Sequence, residues 1–124
     1  MPQFFIVVGA LFSLTSVITR SLSSHAIQPF LLERGKLESF NIGSDYLLFH
    51  GIALIALAIL CHLFPDANYK WGGWCIMIGA GVFGFTVLAK SCFSIHPFGI
   101  LTPISGFILM VGWGLIAYLA FKQM

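Results

Sequence analysis

Charge is scarce in this chain. Lys, Arg, Asp and Glu make up 8% of it, against roughly 25% in an average soluble domain. Apolar residues reach 59% and the mean hydropathy is +0.99. A soluble fold of 124 residues cannot hide so much apolar surface, so lipid is its natural solvent. The net charge is +2, and the few cations are scattered. That excludes the basic patch by which a nucleic-acid-binding protein meets phosphates. Cysteine is also sparse: Cys61, Cys75 and Cys92 form neither a CxxC nor a metal-finger spacing. The stretch MPQFF carries no cation, and the apolar run behind it continues to Thr19 without a convincing cleavage site. It is expected to stay as a membrane anchor rather than to act as a secretory signal.

What charge there is punctuates the chain. Pro2 to Thr19 has none and Arg20 closes it; Asp45 and Asp66 bracket Tyr46 to Pro65; Lys70 and Lys90 bracket Trp71 to Ala89. Ser91 to Phe121 is uncharged again but interrupted by HPFGILTP. Each stretch is close to the ~20 residues a helix needs to cross the hydrocarbon core. Pro97 biases Ser94, Ile95 and His96 away from helix. Thr102-Pro103 then offers an N-cap followed by Pro at the first helical position. The expected spans are about 3–22, 45–64, 71–95 and 103–122. Lys90 would snorkel to the headgroups, and Trp71 and Trp74 would mark an interface.

Between the first two spans lies SSHAIQPFLLERGKLESFNIGSD, where several charges gather. Pro29 can open a helix, and Phe30, Leu37 and Phe40 recur at helix-like intervals. A short amphipathic helix at the membrane surface is expected over about 29–43, weakened by Gly35 and Gly43. Four spans cannot close a barrel, and open strands leave unpaired groups in lipid. The expectation is therefore all-α: a single transmembrane domain over 1–124, built as a four-helix antiparallel bundle. Gly9, Ser13 and Ser16 share a face, as do Ala80 and Gly84, and Ser105 and Gly112; such small-residue faces let helices approach. Arg20, Arg34, Lys36 and Lys90 lie on one side against Lys70 and Lys122 on the other. That count favours the long loop in the cytoplasm.

Polar groups gather at one end of the bundle. His25 follows the first span, His50 lies about one turn inside the second, and His96 ends the third, with Asp45, Tyr46, Lys90, Thr102 and Arg20 on the same side. Tyr46 and His50 are four apart and share a helix face. One reading is a ligand pocket of His25, Asp45, Tyr46, His50 and Thr102, since ionisable groups in a membrane usually face an interior cavity. In it His50 would bond Tyr46 or His25. A second is metal or haem ligation by His25, His50 and His96, with no HxxxH or HxH spacing to support it. The bland reading is that amphipathic side chains collect where water begins. Cys61 and Cys75 flank a short loop; a disulfide between them is conceivable if that side is periplasmic, and two buried free thiols are the favoured expectation. Cys92 lacks the ordered partners of a nucleophile. The serines and threonines of the first span are expected to bond back to their own helix.

Three stretches together resemble a family. YLLFHGIALIAL is similar to the Y-Q-x-x-H-x-x-A-L segment of the YgdD/YwdK-like small bacterial inner-membrane proteins, domain-of-unknown-function family 423. LTPISGFILMVGWGLI resembles their T-P-x-G-G…G-W, and SLSSHAI stands in the place of G-A-x-G-A-H. The resemblance marks His25, Tyr46, His50, Thr102, Pro103, Gly106, Gly112 and Trp113. Leu47 replaces the usual Gln, Ser23 and Ser24 replace Gly and Ala, Ser105 replaces the first Gly after TP, and VFGFTVL stands where F-S-G-S-L-Y is usual. The resemblance implies about four spans, location in the bacterial inner membrane and no assigned reaction. The basic tail that ends some relatives implies termini inside, against the charge count, so orientation stays open.

These readings favour a non-enzymatic binding or scaffold protein with a polar His/Tyr pocket, without cofactor or metal. Its partners would be the lipid bilayer and a second copy or another membrane protein, with no nucleic acid. The alternative is a small oligomeric transporter or channel; a haem or metal redox carrier comes third.

Overall fold

A computed structural model describes residues 2–93 and 101–124; His96 and the expected break at Pro97 lie outside the described residues. The chain forms α1 (Pro2–Ser24), α2 (Gln28–Arg34), α3 (Leu37–Leu63), a 3₁₀ turn (Pro65–Ala67), α4 (Lys70–Cys92) and α5 (Leu101–Lys122). Four of these helices are long and apolar enough to cross a bilayer. Helices satisfy every backbone group within the segment, as lipid demands.

The surface segment divides differently from the single helix expected over 29–43. Pro29 stands in the first turn of α2, where its missing N–H is harmless. Gly35 adopts φ 67°, the left-handed conformation. Its N–H bonds the Leu32 carbonyl at 3.0 Å, and the Lys36 N–H bonds that of Leu31 at 2.9 Å. This pairing ends a helix firmly, so residues 37–43 become the first two turns of α3. Gly43 stays helical because α4 presses on it: a Cβ there would lie 3.0 Å from Val87 Cγ1 and 3.2 Å from the Gly84 carbonyl. At the other end α4 closes at Cys92, with Phe93 extended; the expected span end at Ile95 lies outside the described residues.

Consecutive spans run antiparallel. α3 and α4 are central, with α1 packed mainly on α3 and α5 packed on α4. α1 also reaches α4 through Phe5 and Phe12, whose rings lie where side chains on Gly73 and Gly81 would stand. Leu47, Leu54, Ile76 and Ala80 are fully buried between these helices. Apolar side chains such as Val7, Leu14, Phe107 and Met110 point outward to lipid. Lipid tails are as apolar as leucine, so burial alone does not drive these helices together; close packing and interhelical hydrogen bonds do.

The α1–α3 seam supplies both. A Cβ on Gly9 would fall 2.5 Å from the Gly51 carbonyl, and one on Gly51 would fall 2.6 Å from that of Gly9. Toward the rim follows a polar ladder. Ser44 Oγ meets Thr19 Oγ1 at 2.7 Å and donates to the Ser16 carbonyl at 3.1 Å. Ser23 Oγ donates to Asn41 Oδ1 at 2.8 Å. Arg20 Nε lies 3.3 Å from Asp45 Oδ1.

Candidate functional site: an aromatic groove beside α4

On the other side of α3 the chemistry changes. Tyr46 and His50 face α4 and α5, one turn apart as their spacing requires. The Tyr46 ring stacks on Phe83 of α4, with centroids 4.5 Å apart, and lies 5.5 Å from the imidazole. The His50 ring in turn meets Trp113 of α5 edge-on at 5.7 Å. A row of four rings thus joins three helices. Between them opens a groove of about 570 Å³ lined by Tyr46, Phe49, His50, Phe83, Gly106, Leu109, Met110 and Trp113. Its rim residues Phe49 and Met110 are exposed, so the groove opens sideways to lipid.

His50 is only 7% exposed, and both of its ring nitrogens are engaged. Nδ1 lies 2.8 Å from the Tyr46 carbonyl, and Trp113 Nε1 lies 3.0 Å from Nε2. A carbonyl only accepts and an indole N–H only donates. The imidazole is therefore neutral, with its proton on Nδ1 and its lone pair on Nε2 turned to the indole. Each partner answers a need: an indole N–H left bare in lipid costs free energy, and so does a bare imidazole N–H. In this arrangement neither nitrogen is left for a metal. Among the described residues no three His, Cys, Asp or Glu side chains converge, and Cys61, Cys75 and Cys92 are free thiols.

The other expected pocket residues lie elsewhere. His25 is exposed in the turn after α1. The Ser23–Asn41 bond sets it near the level of residue 39, about 16 Å along α3 from His50 at 1.5 Å per residue. It is not a pocket partner. Asp45 follows the face of α3 that meets α1, where Arg20 pairs with it, so it too is outside the groove. His50 bonds the backbone of Tyr46 rather than its phenol. Thr102 does not serve as the expected N-cap: α5 already includes Leu101, so Pro103 is not its first residue. Thr102 Oγ1 instead meets Thr86 Oγ1 of α4 at 3.1 Å, pinning the start of α5.

Gly106 and Gly112 differ in use. Gly112 seats α5 on α4, since a Cβ there would lie 3.0 Å from Cys75 Cβ. Gly106 borders the groove, and its Cβ would find Phe83 no nearer than 3.9 Å. Sequence reasoning marked Trp113 as structural and missed it as the partner of His50. The available signal was a single-donor indole in the middle of a span, which needs an acceptor.

The architecture and the groove together define a multi-pass helical membrane protein with a lateral aromatic cleft. The model of the family described as "Protein of unknown function (DUF423)" matches residues 20–106, and the chain belongs to that family, as its motifs implied. Similar relatives include the UPF0382 membrane proteins SH2409 of Staphylococcus haemolyticus, 26% identical over 97% of both chains, and SAB0533 of Staphylococcus aureus, 27% identical over 97% of both. SSP2132 of Staphylococcus saprophyticus is 28% identical over 95% of this chain and 97% of its own. No solved structure matches.

Proposed function

We propose that this chain is a non-enzymatic binding protein of the bacterial inner membrane, whose lateral groove receives the acyl chain of a lipid. The observation that carries the reading is the groove itself: about 570 Å³, walled by rings and aliphatic side chains, with the His50–Trp113 bond across it. A polar solute finds little there besides the Tyr46 side chain, because the rest of the lining is mainly apolar and both nitrogens of His50 are already used. The same engagement argues against a proton-transfer role and so against an enzyme. Spans built as apolar helices rather than as a barrel support an inner-membrane location. Transport through one copy is disfavoured because Leu47, Leu54, Ile76 and Ala80 fill the space between the spans.

Gly106→Leu tests the reading, because the groove has room for the added side chain. The variant is expected to keep the wild-type melting temperature and to carry less co-purified lipid per chain by native mass spectrometry. Gly114→Leu, in open surroundings, serves as control. Equal lipid on both variants would remove the groove as a binding site. Solute flux in proteoliposomes that His50→Ala abolishes would replace this reading with the transporter.

A further inference from the structure

Lys36 is the N-cap residue of α3, and Lys90 stands in the last turn of α4. With Ser39, Val87 and Ser91 they line a cavity of about 150 Å³. Water occupies about 30 Å³ per molecule in the liquid, so the cavity has room for about five, or for one hydrated oxyanion. Arg34 closes the same corner, its Nε donating to the Ser91 carbonyl at 3.2 Å. Among the described residues neither lysine is ion-paired, and Glu33 and Glu38 are exposed.

Lys36 is exposed and Lys90 half-buried, so water screens their charges only in part. A cation at the amino end of a helix opposes the helix dipole, and two lysines lining one small cavity carry like charges that repel. An anion between them relieves both penalties. The place also matters. Lys36, Ser39, Gly43, Tyr46 and His50 recur at alternating intervals of three and four, so they share one face of α3. The basic cavity and the aromatic groove therefore lie on the same seam, with Lys36 and Tyr46 about 15 Å apart along the helix. That is half the thickness of the hydrocarbon core, the depth one acyl chain covers.

We infer that the Lys36–Lys90 cavity holds the phosphate of an anionic membrane lipid whose chain lies along this seam toward the Tyr46–His50 groove. The placement of the chain rests on the function proposed above; the headgroup preference stands on the cavity. The probe is the protein in nanodiscs of equal phosphatidylglycerol and phosphatidylcholine, with the ratio of the two lipids retained read by native mass spectrometry. Wild type is expected to retain phosphatidylglycerol in excess. Lys36→Gln/Lys90→Gln should lower the ratio on the order of fivefold per lysine, and Lys70→Gln/Lys122→Gln at the other end should leave it unchanged. A ratio that survives the first pair, or falls equally with the second, overturns the site. Inorganic phosphate protecting the protein in phosphatidylcholine nanodiscs as well as phosphatidylglycerol does overturns the lipid as its source. The ratio and the total lipid lost in Gly106→Leu are independent readings, so failure of the headgroup site and failure of the groove are told apart.

Discussion

Toward α1, α3 presents Asn41, Ser44, Asp45 and Gly51; toward α4 and α5 it presents Gly43, Tyr46, Leu47 and His50. The first seam holds more polar groups, yet it leaves nothing for a ligand. Its hydroxyls, amide and ion pair answer one another across the seam, and the backbones touch at Gly9 and Gly51. Among the described residues the second seam has one polar side-chain bridge from α3, His50 to Trp113, and rings that hold α5 away from α3. Inside a membrane, dense polarity that is fully satisfied acts as glue. A binding site opens where packing stops, and here it stops beside the bridge.

The widest contrast between the seams is steric. Helix propensity alone favours Gly→Ala by about 1 kcal/mol, so both Gly51→Ala and Gly106→Ala begin with the same advantage. At Gly51 the new Cβ comes 2.6 Å from the Gly9 carbonyl and 2.7 Å from Ser13 Oγ; backbone cannot step aside without moving α1. We expect a loss of about 3 kcal/mol for Gly51→Ala, at the upper end of overpacking effects. Gly106→Ala, with nothing nearer than 3.9 Å, should be neutral or stabilising. Unfolding curves in one detergent give both signs, and equal midpoints would mean the two seams are packed alike.

The bridge comes next. His50→Leu strands the Trp113 N–H, and Trp113→Phe strands the lone pair on Nε2, so each single change is expected to destabilise. The double variant removes both needs and should lose less than the sum. A coupling of about 1 kcal/mol is expected, within the range of hydrogen bonds between transmembrane helices. Additivity within about 0.3 kcal/mol would mean that α5 is held without the bridge and that the ring row is incidental.

The class and the spans were legible because length and charge are one-dimensional signals: Arg20, Asp45, Lys70 and Lys90 bracket the apolar runs wherever the chain folds. The Tyr46–His50 pair was legible because a helix repeat puts residues four apart together. Asp45 shows where such reasoning fails. Its depth matches Tyr46, but one residue on a helix is a turn of about 100°, and that carries it to α1 and Arg20. The role of Trp113 depends on how Gly112 seats α5 against Cys75 and Ile76, a contact no local period encodes. Gly35 was read as a weakness in one helix. Its left-handed φ makes it the end of α2, which requires Lys36 to bond back to Leu31.

The first helix supplies the smallest effect and the finest test of the comparison. Its hydroxyls were expected to bond back to their own carbonyls, and Ser13 and Thr15 do, to Gly9 and Leu11. Ser16, Thr19 and Ser23 also reach across to α3. Ser44→Ala deletes the centre of that ladder, but Thr19 keeps its bonds to the Thr15 and Ser16 carbonyls, and the buried Ser16 Oγ gives up a long 3.3 Å contact with Ser44 Oγ that a bond back to its own helix can replace. The expected loss is about 0.6 kcal/mol, the average for such a bond. It should be smaller than that of His50→Leu, whose indole partner has no second acceptor described. If Ser44→Ala proved the more damaging of the two in the same unfolding assay, the ladder would be the less redundant seam, and the reading of satisfied polarity as dispersed glue would be reversed.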